Sequence, residues 1–166
     1  GTKPVRLNER ELAIRLSYFL TSAPPDEELM ELARENKLSD PKVLRLETDR
    51  LLLGSEADEL VSGFAHQWLD MKRIDMFDFK AKYHPSFDQS VRFSARREIY
   101  ATLRHLLDND LPIDQLLNSD FVVINDSLAD FYGLPAPLTA PEFGVVKLPK
   151  GSPRGGLLGM AATHIM

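Results

Sequence analysis

Residues 55–73 read SEADELVSGFAHQWLDMKR, and this stretch, which holds the only tryptophan, decides the fold class. At helical spacing Leu60, Val61, Phe64, Ala65, Trp68, Leu69 and Met71 fall on one broad face, opposite Asp58, Glu59, Ser62, His66 and Lys72. Ser55 with Asp58 three residues on marks a start, because a serine oxygen accepts from an orphan amide and the acid complements the helix dipole. So wide an apolar face reads as a core helix, with Trp68 expected to be buried against a later long helix.

Upstream, three further helices are predicted. Asn8 with Glu11 opens the first, with Leu12, Ala13, Leu16, Phe19 and Leu20 as its apolar stripe, ending before Pro24-Pro25. Asp26, Glu27 and Glu28 put negative charge in the first turn of a second, which turns Leu29, Leu32 and Ala33 inward and runs to Asn36. Asp40-Pro41 starts a third, since proline fits the first helical position. Its buried residues are expected to be Val43, Leu44, Leu51 and Leu52, and Gly54 stops it.

Downstream, Ile74 to Pro85 has aromatics without helical period. Ser86 with Gln89 reads as a capping box opening a long helix to Asp108, with the stripe Phe87, Val91, Ala95, Ile99, Leu103 and Leu106. A short helix over 112–117 and an extended piece over 121–124 follow. Asn125 caps a helix carrying Leu128, Ala129, Phe131 and Tyr132, and Gly133 supplies the left-handed residue that ends it. Beyond Gly133 the chain turns to Pro and Gly, and only Val145 to Leu148 has the character of a strand.

The fold class expected is therefore all-α, an irregular bundle of about six or seven helices, with residues 1–134 as the helical domain and 135–166 as a Pro/Gly-rich tail. The apolar run Leu157, Leu158, Met160, Ala161, Ile165 and Met166 reads as an interface with a missing remainder of the protein, which in the fragment folds back onto the helical body or pairs with a second copy. Gly1-Thr2 is read as a remnant of expression, and the chain as a piece of a larger protein.

Composition excludes several function classes. Hydrophobic residues are 43% and charged residues 27%, the ordinary globular range. No apolar run approaches the roughly 20 residues of a spanning helix. A net charge of -5 and the lack of a basic block argue against a nucleic-acid surface. There is no cysteine, which excludes disulfides, thiolate metal sites and covalently attached haem within the segment.

Several stretches together resemble the planctomycete-type domain catalogued as domain of unknown function fifteen-ninety-two. They are Arg15-Leu16-Ser17-Tyr18-Phe19-Leu20, Pro25-Asp26 with Leu29, Phe64-Ala65 with Gln67-Trp68-Leu69, and Asn125 with Leu128-Ala129 and Tyr132-Gly133. Arg154-Gly155-Gly156-Leu157-Leu158 resembles the opening of the small domain that usually follows. One departure is Thr21, where the family often has tryptophan. The resemblance implies large exported proteins, periplasmic or at the cell surface, that often carry cytochrome c-like modules, with haem on those modules and none in this segment. The motif residues Arg15, Tyr18, Gln67, Trp68, Asn125, Tyr132 and Gly133 are read as architectural.

The candidate chemistry is thin. His66, His84, His105 and His164 have no i, i+4 pairing, so no metal site is expected, and His84, before a proline in the aromatic stretch, is the one placed for a ligand role. Phe77, Phe79 and Tyr83 with Lys80 and Lys82 form an aromatic and basic stretch suited to a glycan or a partner, or to folding onto the core. Glu98 is the candidate catalytic acid, because it lies beside the stripe of the long helix, follows Arg96-Arg97 and matches a glutamate of the family pattern. The reading preferred for it is a boundary carboxylate in a structural ion pair, with Arg15 as one partner. Gly151, Gly155 and Gly156 near Arg154 match no phosphate-binding pattern and read as turn residues.

The function expected is a structural or interaction module of a larger exported, redox-associated protein, whose partners are the other domains of that protein. The alternative is a ligand-binding or catalytic domain, such as a carboxylate-dependent polysaccharide hydrolase using Glu98.

Overall fold

The computed structural model describes residues 6–76 and 86–165, the side chain of Ile165 excepted. The expected roles of the 77–85 stretch, His84 included, lie outside the described residues. Eight α-helices occur among the described residues: α1 Glu9–Thr21, α2 Glu27–Arg34, α3 Pro41–Leu53, α4 Asp58–Trp68, α5 Arg73–Met76, α6 Gln89–Asp108, α7 Asp126–Tyr132 and α8 Ala161–Ile165. The expectation of an all-α fold is corrected by two strands, β1 Phe121–Ile124 and β2 Gly144–Lys147, which pair antiparallel with Val122 opposite Val146. The chain is mostly helical with one small sheet.

Contacts divide the chain into two compact units, residues 1–61 and 62–166, the division falling inside α4. In the first unit Ala13, Leu20, Leu29, Ala33, Leu38 and Leu51 form the core. Asn8 and Glu11 make the reciprocal capping box expected of them, at 2.9 and 3.0 Å. Asp26 caps α2 through Leu29 N, and Asp40 caps α3 ahead of Pro41. Phe19 is not part of the stripe: it is exposed, as are Ile14 and Tyr18. The buried line of α1 runs instead through Ala13, Ser17, Leu20 and Thr21.

In the second unit α6 is the central rod, with Val91, Ala95, Ile99 and Leu106 buried as expected. Its cap is Asp88, whose carboxylate accepts from Val91 N at 2.9 Å, rather than Ser86; a charged acceptor there also complements the dipole. Four helices end alike. Asn36, Asp70, Asp110 and Gly133 all have positive φ, and each is followed by an amide that bonds back to a carbonyl five residues earlier, as in Met71 N to His66 O at 3.0 Å. The turn at Asp70 explains a second difference. The tryptophan helix stops at Trp68, and Met71 and Ile74 reach the core from beyond that turn.

Trp68 itself is corrected: it is 50% exposed, not buried. The face actually buried on α4 is the narrow line Val61 and Ala65, while Phe64 and Trp68, four residues apart on its flank, stack on each other at 5.4 Å.

The expected boundary at 134/135 lies between the two strands. β2 pairs with β1 across it, and Leu157, Met160, Ala161 and Ala162 join the same core as α6 and α7. The described part of the apolar run is thus covered by residues of its own unit, with Leu158 left exposed. Gly155 and Gly156 have a firmer reason than turn chemistry. A Cβ on either would collide with backbone of the 117–119 segment, and Gly156 adopts φ +77 while its N–H bonds Ser119 Oγ at 3.1 Å.

Candidate functional site

The polar chemistry of the second unit is concentrated along one side of α6. Ser94, Glu98 and Thr102, spaced by four, form a buried polar line beside the apolar one. Each is fully or nearly fully enclosed, at 3, 0 and 2% exposure. A buried carboxyl requires partners, and the fold supplies them from residues distant in sequence.

Tyr132 Oη donates to Glu98 Oε2 at 2.6 Å and accepts from Ala161 N at 2.7 Å. The phenol therefore joins α6, the end of α7 and the start of α8 at one oxygen. The Arg154 guanidinium lies over the Tyr132 ring, 4.0 Å from its centroid, a cation–π contact. Asn125 links the neighbouring level. Its Oδ1 caps α7 through Leu128 N at 3.2 Å, and its Nδ2 donates to Ser94 Oγ at 3.0 Å.

Burial pushes the Glu98 carboxyl up to about 8, since enclosure penalises the charged form; the Tyr132 hydroxyl, the Arg154 guanidinium and the Ala161 N–H pull it back only in part. Burial and the adjacent carboxyl drive the Tyr132 phenol well above its ordinary value. Around neutrality the pair is an uncharged acid bonded to an uncharged phenol. Such an acid can donate a proton, yet it is sealed from solvent.

Open cavities bordered by described residues lie elsewhere. One of about 490 Å³ is bordered by Gln115, Asn118, Asp120, Lys150 and Ser152. Another of about 340 Å³, in the first unit, is bordered by Ser17, Thr21, Asp26, Arg50 and Glu56. Glu98 borders neither. Beside the second, Arg50 bonds Asp26 at 2.7 Å and the nearly buried Glu47 at 2.7 Å, which raises the guanidinium further and lowers Asp26.

Of the residues singled out in the sequence, Tyr132 bonds Glu98, Asn125 bonds Ser94 on the same polar line, and Gly133 ends α7. Arg15, Tyr18, Gln67 and Trp68 are all exposed. The bonding partner of Glu98 is Tyr132 rather than Arg15. His66 and His164 are exposed, and His105 packs edge-on to Phe121 at 5.1 Å. Among the described residues no group of three or more His, Asp or Glu side chains is placed to hold a metal. No described helix is long and apolar enough to cross a membrane.

Thr102 and Arg154 belong to the cluster without standing out as site residues in the sequence. Thr102 shares the four-residue spacing of Ser94 and Glu98, a signal that was legible, whereas Arg154 reaches the cluster only through tertiary folding.

The fold and site define a mainly helical protein with a carboxyl–phenol pair locked in its core. The chain belongs to the family described as PSD4, protein of unknown function (DUF1592), whose model matches residues 7–134. No curated protein and no solved structure matches it.

Proposed function

We propose that the chain is a structural and interaction module that docks against other domains of a larger parent protein through the flank of α4. The observation that carries this reading is the stacked Phe64–Trp68 pair, 53% and 50% exposed, on a helix whose neighbouring Val61–Ala65 line is buried. Rigid aromatic side chains that remain in water are costly to hydrate and are the residues most enriched at binding hot spots. The exported, cytochrome c-associated setting implied by the family resemblance belongs to the same proposal, with haem on the parent's other modules.

Trp68 is the sole tryptophan and reports on its own surroundings. In the isolated chain its emission is expected at the wavelength of a wetted indole. In the longer parent protein it should move to the blue and resist quenching by iodide. Identical emission and quenching in both would overturn the docking reading.

The hydrolase alternative rests on the raised Glu98 carboxyl. Glycoside hydrolysis places two carboxyls about 5–10 Å apart across an accessible bond, and Glu98 is 0% exposed with Tyr132 on one oxygen. That enclosure favours the architectural reading.

A further inference from the structure

We propose that Glu98 Oε1 and Thr102 Oγ1 share a binding site for one internal water molecule on the polar side of α6. Both atoms are buried and neither has a hydrogen-bond partner within the protein. Their residues are 0% and 2% exposed. Such orphans are rare in folded proteins, and here two of them occur four residues apart on one helix face.

The helix brings them toward each other. Side chains on an α-helix lean toward its N-terminus, so Thr102 lies over the turn that carries Glu98. The polar line Ser94, Glu98, Thr102 receives Asn125 at its first member and Tyr132 at its second. At the third no side chain among the described residues answers. A direct bond between Glu98 and Thr102 is not made, so the remaining oxygen of the acid and the hydroxyl are both without a partner among the described residues.

The chemistry selects the ligand. The guest must be small, because the site is enclosed, and it must both accept and donate, because a neutral carboxyl and a hydroxyl present both kinds of group. A buried water with two to four polar partners meets this description. A cation is opposed by the Arg154 guanidinium, which acts on the same carboxyl, and by the enclosure that keeps the acid uncharged. An anion is opposed by the same enclosure, which penalises any charge taken out of water.

The test is a crystal structure of the full chain at a resolution that shows ordered water, joined to infrared spectra of the carboxyl band at mildly acidic pH. One density peak is expected within about 2.7–3.2 Å of both atoms. The band, assigned by its loss in Glu98→Gln, should move to higher frequency in Thr102→Val, which keeps the shape and removes the hydroxyl, and should stay in place in Thr102→Ser. An empty space, or direct contact between the two side chains, overturns the site. So does a carboxyl band that Thr102→Val leaves unmoved.

Discussion

Tyr132 and Glu98 are 34 residues apart in the chain and 2.6 Å apart at their oxygens, with Ala161 N completing a three-way junction on the phenol. One hydroxyl thus holds the C-terminal segment against the central helix. The buried acid is the most perturbed carboxyl among the described residues of the second unit.

Tyr132→Phe keeps the ring and the Arg154 contact while removing both bonds. Ala161 N–H and Glu98 Oε2 are then left without this partner, at a cost of about 1–3 kcal/mol for each buried group, so a total loss of about 2–6 kcal/mol is expected. Urea denaturation measures the loss. Hydrogen exchange should locate it, with faster exchange at Ala161 than at α1.

Stability should depend on pH through Glu98. Its folded value of about 8 lies above the ordinary 4.5, so the folded state binds the extra proton between them. The contribution is full below pH 4.5 and is lost as pH rises to about 8. The decline is expected to be on the order of 3–5 kcal/mol. Asp26, lowered by its hydrogen bond with Arg50, acts in the opposite sense and loses its contribution in acid. A stability maximum in the mildly acidic range follows, and Glu98→Gln should flatten the alkaline side of the profile in thermal melts.

Trp68→Ala should cost only about 1 kcal/mol, the worth of an aromatic stack on a surface, where a buried tryptophan would cost about 3–5. Denaturation followed by circular dichroism distinguishes the two, since the variant has no tryptophan signal.

Asn125→Ala removes the α7 cap and the bond to Ser94, so about 1–2 kcal/mol is expected. Gly156→Ala should be worse, because it adds left-handed strain to a collision with the Leu117 carbonyl. Melting temperatures of the two variants, ranked in that order, provide the check.

Local signals were legible in the sequence where the cause is local. The Asn8 box, the Asp40-Pro41 start, the Asn125 cap and the left-handed Gly133 all follow from side-chain reach and backbone freedom within a few residues. Burial was less legible. Phe64 and Trp68 belong to a wide apolar face, yet packing covers only its Val61–Ala65 line, and the left-handed turn at Asp70 lets Met71 reach the core instead. The strand at 144–147 was readable as a piece, but its pairing with 121–124 is tertiary and left the fold class read as all-α. Glu98 stood out through its neighbours along α6; its bond to Tyr132 and the nearness of Arg154 depend on long-range folding that no spacing encodes.

The most direct test of the account sets its two candidate surfaces against each other. Binding of the remainder of the parent protein, supplied as a separate polypeptide, would be measured by calorimetry for the unaltered chain, for Phe64→Ala with Trp68→Ala, and for Glu98→Gln. Circular dichroism would verify that each is folded. The account expects the double variant to lose at least about tenfold in affinity, equal to about 1.4 kcal/mol, and Glu98→Gln to bind as the unaltered chain does. Full binding by the folded double variant, with binding lost in folded Glu98→Gln, would contradict it and return the function to the buried acid.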